Sequence, residues 1–137
     1  MRKEEVIKLI ERLAEEVGAD PNLLPTFENP QYNGKPNIEF LGRYYQYTIQ
    51  EGNTELSRML FTDLDGLLYE IFKDVTSVMA SRYELAHRVS GVDSRRLQFR
   101  KQLELLESIN SVWSQRIQKD QLSILKVVPF ADDNPWG

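Results

Sequence analysis

From Leu64 to Ala86, apolar residues return three or four positions apart, with Ile71 and Phe72 adjacent: Leu64, Leu68, Ile71, Phe72, Val75, Met79, Tyr83 and Ala86. That spacing puts them on one face of an α-helix. Thr62 or Asp63 can cap its start, with Asp63 and Asp65 near the positive end of the helix dipole. Gly91 supplies a left-handed stop. The pattern predicts a helix from about Asp63 to Ser90, roughly 40 Å long at 1.5 Å per residue. A helix of that length spans a small domain, so the other elements are expected to pack along it.

The flanking segments have different periods. Val6, Ile7, Ile10, Leu13, Ala14 and Val17 form the stripe of an amphipathic first helix, which Gly18 ends and Asp20-Pro21 cannot continue. Between Asn22 and Phe61, Pro25, Pro30, Asn33-Gly34 and Pro36 exclude a helix. There Ile38 and Phe40, then Tyr45, Tyr47 and Ile49, alternate with polar neighbours as half-buried strands do. Glu55 to Phe61 is the returning strand of a three-stranded antiparallel meander, with an earlier edge strand placed around Thr26–Glu28. The last strand's phase stays open, because Leu56 and Leu60 compete with Met59 and Phe61 for the inside. After Gly91, Asp93 caps a helix carrying Leu97, Phe99, Leu103, Leu106 and Ile109. Asn110-Ser111 breaks it, and a last helix from about Val112 to Val127 stops at Pro129.

Together these readings describe an α+β fold. A small antiparallel sheet of three or four strands packs on a bundle of about four helices, one of them long and central. Residues 1–130 are read as a single domain in which Phe130 tucks onto the core, and 131–137 as a frayed tail.

Composition narrows the function classes. The 137 residues contain no cysteine, which excludes disulfides and thiolate metal sites, and the reading is cytosolic. No apolar run has the length of a membrane span, and the N-terminus lacks the apolar core of a signal peptide. Net charge is −4. Residues 1–74 hold 14 acids and 8 bases, whereas residues 75–137 hold 7 acids and 9 bases. The acidic first half argues against nonspecific nucleic-acid binding and suits either a basic partner or a simple solvated surface.

The residues offer no catalytic constellation. His87 is the single histidine, so a multi-histidine zinc site is excluded. Glu84, His87 and Arg88 fall at helical spacing, and Asp93, Arg95, Arg96, Arg100 and Lys101 cluster at a helix start. A structural ion-pair network of Glu84, His87, Arg88, Asp93 and Arg96 accounts for them. The alternative is a small-ligand or enzymatic site around His87, Arg88 and Arg96, which requires a pocket with unpaired arginines. Asp63–Asp65 and Glu70–Asp74 have spacings that a metal site could use, but capping and a wet helix face explain both. Phosphate-loop, nucleophile-elbow and metalloprotease motifs are absent. No enzyme activity, cofactor or metal is expected. The tyrosine-rich, glutamate-bearing sheet region fits a protein interface as well as it fits plain strand propensity. Glu28, Tyr32, Glu39, Tyr44, Glu51 and Glu55 are the candidate partner-binding residues.

A family resemblance adds what the chemistry leaves blank. Thr62-Asp63-Leu64-Asp65-Gly66-Leu67-Leu68-Tyr69 opens it, followed by Asp74-Val75-Thr76, Met79-Ala80, Tyr83-Glu84-Leu85 and His87-Arg88. Asp93, Arg95-Arg96-Leu97, Phe99, Gln102-Leu103-Glu104-Leu105-Leu106, Trp113 and Pro129-Phe130 continue it, and Leu23-Leu24-Pro25-Thr26-Phe27 precedes it. In order and spacing the chain resembles the immunity protein 63 family of bacterial polymorphic toxin systems. Gly66 departs from the acidic residue expected there, at a helix-propensity cost of about 1 kcal/mol. The resemblance implies a non-enzymatic protein that binds and blocks a toxin encoded nearby. It is expected to act in the cytoplasm as a monomer or weak dimer, without nucleic acid or membrane as partner.

Overall fold

The structure, a computed structural model, describes residues 1–133. Its elements are α1 (Lys3–Val17), β1 (Thr26–Phe27), β2 (Asn37–Phe40), β3 (Tyr45–Glu51), β4 (Thr54–Phe61), α2 (Leu64–Ala86), α3 (Ser94–Glu107) and α4 (Ser111–Val127), with a 3-10 turn at Pro21–Leu23. This is the α+β class that the periodicities predict. The chain divides into two compact units, Met1–Phe72 and Lys73–Gly137, and the division falls inside α2.

In the first unit, α1 buries Val6, Ile10, Leu13, Ala14 and Val17, the stripe read from the sequence save Ile7, which is half-buried. It ends at Gly18, whose φ of 77° is the left-handed geometry that a side chain resists. The sheet runs in the order β1-β2-β3-β4. β2, β3 and β4 form the antiparallel meander, with Ile38 opposite Tyr47 and Tyr47 opposite Met59. β1 corrects the all-antiparallel expectation: it lies parallel to β2, pairing Thr26 with Asn37. Parallel neighbours need a crossover. The loop between them supplies one, bending through positive φ at Glu28, Tyr32 and Gly34.

The open phase of β4 resolves in favour of Met59 and Phe61. Both are half-buried with Ser57, whereas Leu56 and Leu60 are 57% and 59% exposed. Asp63 caps α2, accepting the Gly66 N–H at 2.7 Å. Gly66 now has a reason as well. A Cβ there would stand 3.2 Å from both the Phe61 ring and Asp63 Oδ1.

In the second unit, α2 stops at Ala86, four residues before the expected Ser90. The His87 amide is shared between the Tyr83 and Glu84 carbonyls, and His87 Nδ1 also bonds Tyr83 O at 2.9 Å. A carbonyl only accepts, so Nδ1 is the protonated nitrogen. Gly91 is left-handed, but it serves a later turn closed by Val92 N–H to Val89 O. Asn110 caps α4 by accepting from the Val112 and Trp113 amides. Leu106, Trp113 and Ile117 are buried, and polar side chains cross between helices. Gln102 donates to Lys73 O and Thr76 Oγ1, Gln121 to Phe99 O, and Ser114 to Leu103 O.

Candidate functional site

The arginine-rich start of α3 is held by its own chain. Asp93 is the N-cap, accepting the Arg95 N–H at 2.9 Å, and its other oxygen accepts from the Arg95 guanidinium and the Ala131 N–H. The Arg95 guanidinium together with those amides holds the Asp93 carboxyl well below the usual carboxylate range. Arg95 also donates to Val128 O and Pro129 O. Arg96 pairs with Asp132 at 3.0 Å and lies over the Phe130 ring, 4.2 Å from its centroid. Arg96, first, and the Asp93 N–H hold Asp132 low. Phe130 is half-buried against Phe99, at 6.3 Å between ring centres. Ala131, Asp132 and Asp133 are thus hydrogen-bonded, whereas residues 134–137 of the expected tail lie outside the described residues.

The ion pairs therefore assemble as separate bonds. Glu84 accepts twice from Arg88, at 2.7 and 3.1 Å, and that bidentate bond lowers its carboxyl. Arg95, one of the arginines clustered at the helix start though not among the five network residues, is Asp93's partner, whereas Arg96 pairs with Asp132, which the sequence reading did not name. His87 stacks on Tyr83 with 4.0 Å between ring centres. Sequence carried one signal for Arg95: it stands two positions after an N-cap aspartate, where a guanidinium can fold back on the cap. Nothing local pointed to Asp132.

A hollow of about 320 Å³ in this unit is lined by Lys73, Asp74, Gln98, Gln102, Asp120 and Gln121, among others. The Gln102 and Gln121 amides already bond helix carbonyls. Among the described residues, no group of three or more His, Asp or Glu is placed to hold a metal ion, and no helix is long and apolar enough to cross a membrane.

The six sheet residues separate into two clusters. At one end, Glu28 accepts the Phe40 N–H and the Lys3 ammonium, Glu39 accepts from Asn37, and Tyr44 closes the β2–β3 turn by accepting from Leu41. The Lys3 bond comes first among the causes that lower the Glu28 carboxyl. At the other end, Tyr32 O accepts the Gly52 N–H, Asn33 bridges to Glu51, and Glu55 sits opposite Gln50 and bonds Arg58. The seven residues of β3 separate the two clusters by roughly 23 Å at 3.3 Å per residue. Tyr32 and Tyr44 are both exposed. Glu51 has no hydrogen-bonded or ionic side-chain partner among the described residues.

The charge lies elsewhere than on the sheet. Residues 22–61 contain 4 acids and 3 bases, so the acidity of the first half belongs mainly to α1 and the start of α2. What the sheet does expose is apolar: Leu56 and Leu60 flank Arg58 on β4. Their i, i+2, i+4 spacing was visible, but the competing Met59 and Phe61 masked which set faces out.

No curated protein and no solved structure matches the chain. The family model described as immunity protein 63 matches residues 42–123, which run from the β2–β3 turn into α4 and make up more than half of the sequence. The chain belongs to the immunity protein 63 family.

Proposed function

We propose that this protein neutralises a toxin encoded beside it by direct protein–protein contact, covering the toxin's active site in the cytosol of the producing cell. The observation that carries the reading, given the family, is the engagement of the arginines that the alternative ligand site would need free. Arg88, Arg95 and Arg96 each hold a carboxylate, and arginines spent on carboxylates favour a binding module over a ligand site. The exposed tyrosines and leucines of the sheet offer contact area instead. Glu51 and Glu55, with Tyr32 beside them, form the acidic part of that contact. Glu51 is the carboxylate left to a partner, since Glu28 and Glu39 already accept bonds within the unit. A nuclease or another enzyme acting on nucleotides presents a basic substrate surface that such a group would cover.

The test is a binding measurement with the inactivated product of the adjacent gene, paired with rescue of growth on coexpression. Reversing Glu51 and Glu55 to lysine is expected to weaken binding at least tenfold and to flatten its salt dependence. Unchanged affinity would remove the acidic surface from the mechanism. Failure of the wild-type chain to protect the cell would remove the neutralisation reading itself.

A further inference from the structure

β4 is the last strand of the sheet, paired only with β3. It is also the longest strand, eight residues without a proline. In an antiparallel ladder, alternate residues of an edge strand turn their N–H and C=O groups away from the neighbour. Among the described residues, no backbone group outside β3 bonds to Thr54–Phe61. Such an edge is a ready template for another strand, and proteins commonly shorten, cover or charge it. Here it carries two exposed leucines, with Arg58 between them.

We infer that the free edge of β4 receives an extended segment of the toxin, which adds a fifth strand to the sheet. The inference rests on the neutralisation reading and names the chemistry of its partner. Directly opposed residues in paired strands share a face of the sheet. The incoming strand therefore sets apolar residues against Leu56 and Leu60 and an acidic residue against Arg58, an apolar-x-acid-x-apolar sequence. Arg58 bonds Glu55 through Nε and Nη2, and its side chain remains 56% exposed. A guanidinium has five N–H donors, so some remain for the partner's carboxylate. A second copy of this chain fits less well. Two-fold antiparallel pairing that brings Leu56 against Leu60 sets Arg58 against Arg58, and like charges directly opposed destabilise a sheet. The edge adjoins Glu51 and Glu55, so one surface serves both contacts.

Amide hydrogen exchange on the full chain, alone and bound to the inactivated product of the adjacent gene, tests this without any variant. The expected result is fast exchange at alternate β4 amides in the free protein and strong protection of the same amides in the complex. Leu60→Lys, a change at an exposed position, is expected to weaken binding more than tenfold while leaving the thermal transition in place. Tight binding with β4 exchange unchanged would overturn the edge and leave neutralisation standing. Absence of any binding by the wild-type chain would overturn both. Protection of β4 in the free chain, rising with its concentration alongside a dimer in sedimentation, would assign the edge to a second copy and overturn the inference.

Discussion

The two compact units bury different chemistry. In Met1–Phe72 the sealed residues are almost all apolar, from Val6 and Ile10 on α1 through Ile38 and Tyr47 to Leu67 and Ile71, with Asn37 the polar exception. In the second unit Thr76, Glu84, Gln102, Ser114 and Gln121 are buried beside Val75, Ala80, Leu106, Trp113 and Ile117. Apolar burial is non-directional and scales with area. A glutamine amide reaching a carbonyl on the next helix is directional, and its net contribution is only about 1 kcal/mol. The first unit is therefore held by packing. The second gets its helix register from specific bonds, and the carboxylate–arginine clamp holds residues 128–132 to the start of α3.

The sharpest way to break that contrast is a matched pair of substitutions read by urea unfolding. Ile10 is fully buried in α1, and Ile10→Ala is expected to cost about 2–5 kcal/mol through lost burial and the cavity left behind. Gln102→Leu removes two donated bonds, to Lys73 O and Thr76 Oγ1, but keeps an apolar side chain of similar size in place. Its expected cost is about 1 kcal/mol. Equal costs would mean that the polar bonds hold the second unit as firmly as packing holds the first.

Acid should sharpen the contrast further. Asp93 and Asp132 are both held below the ordinary carboxylate range, chiefly by Arg95 and Arg96 respectively. A carboxyl depressed in the folded state contributes stability that is fully present above its unfolded pKa, about 4, and is lost as pH falls towards the folded value. Between neutral pH and pH 3, the Ala131 and Arg95 amides are expected to lose exchange protection, after correction for intrinsic rates. The Tyr47 amide in the sheet should keep its protection. In the first unit Glu28 is the carboxylate held low, and it lies at the sheet's end rather than in its core. Equal losses at Tyr47 and Ala131 would show that acid opens the whole chain and spares neither unit.

The same division explains how much could be read in advance. Periodicity and caps are local, and they located α1, the meander, the α2 cap to within Thr62 or Asp63, the Asp93 cap, and the break between α3 and α4 at Asn110-Ser111. The direction of β1 depends on a loop that bends at Glu28 and Tyr32, non-glycine residues whose positive φ no propensity announces. The early end of α2 falls at His87 and Arg88, where the His87 amide is shared between the Tyr83 and Glu84 carbonyls. Both residues read equally well as helix. The clamp joins Arg96 to Asp132 across 36 positions, beyond the reach of any helical spacing. Where the acidic charge sits was illegible for a different reason. A charge balance summed over half the chain says nothing about which element carries it, and α1 accounts for 5 of those 14 acids.

Gly66 is the finest probe of the first unit's packing, because two effects of similar size oppose each other there. Replacing a helical glycine with alanine stabilises a helix by about 1 kcal/mol when the methyl group meets open space. At Gly66 that methyl would stand 3.2 Å from the Phe61 ring at the end of β4 and 3.2 Å from Asp63 Oδ1. Asp63 cannot swing away without giving up the cap bond to the Gly66 N–H. Relief must therefore come from a shift of the half-buried Phe61 ring. The two terms are expected to offset, leaving Gly66→Ala within about 0.5 kcal/mol of the parent in urea unfolding, where surface changes normally fall. A gain of the full propensity term would show that Phe61 yields freely and that the packing of β4 against the first turn of α2 is loose. A loss well beyond 1 kcal/mol would show the opposite: a junction so tight that glycine is required by the ring beside it.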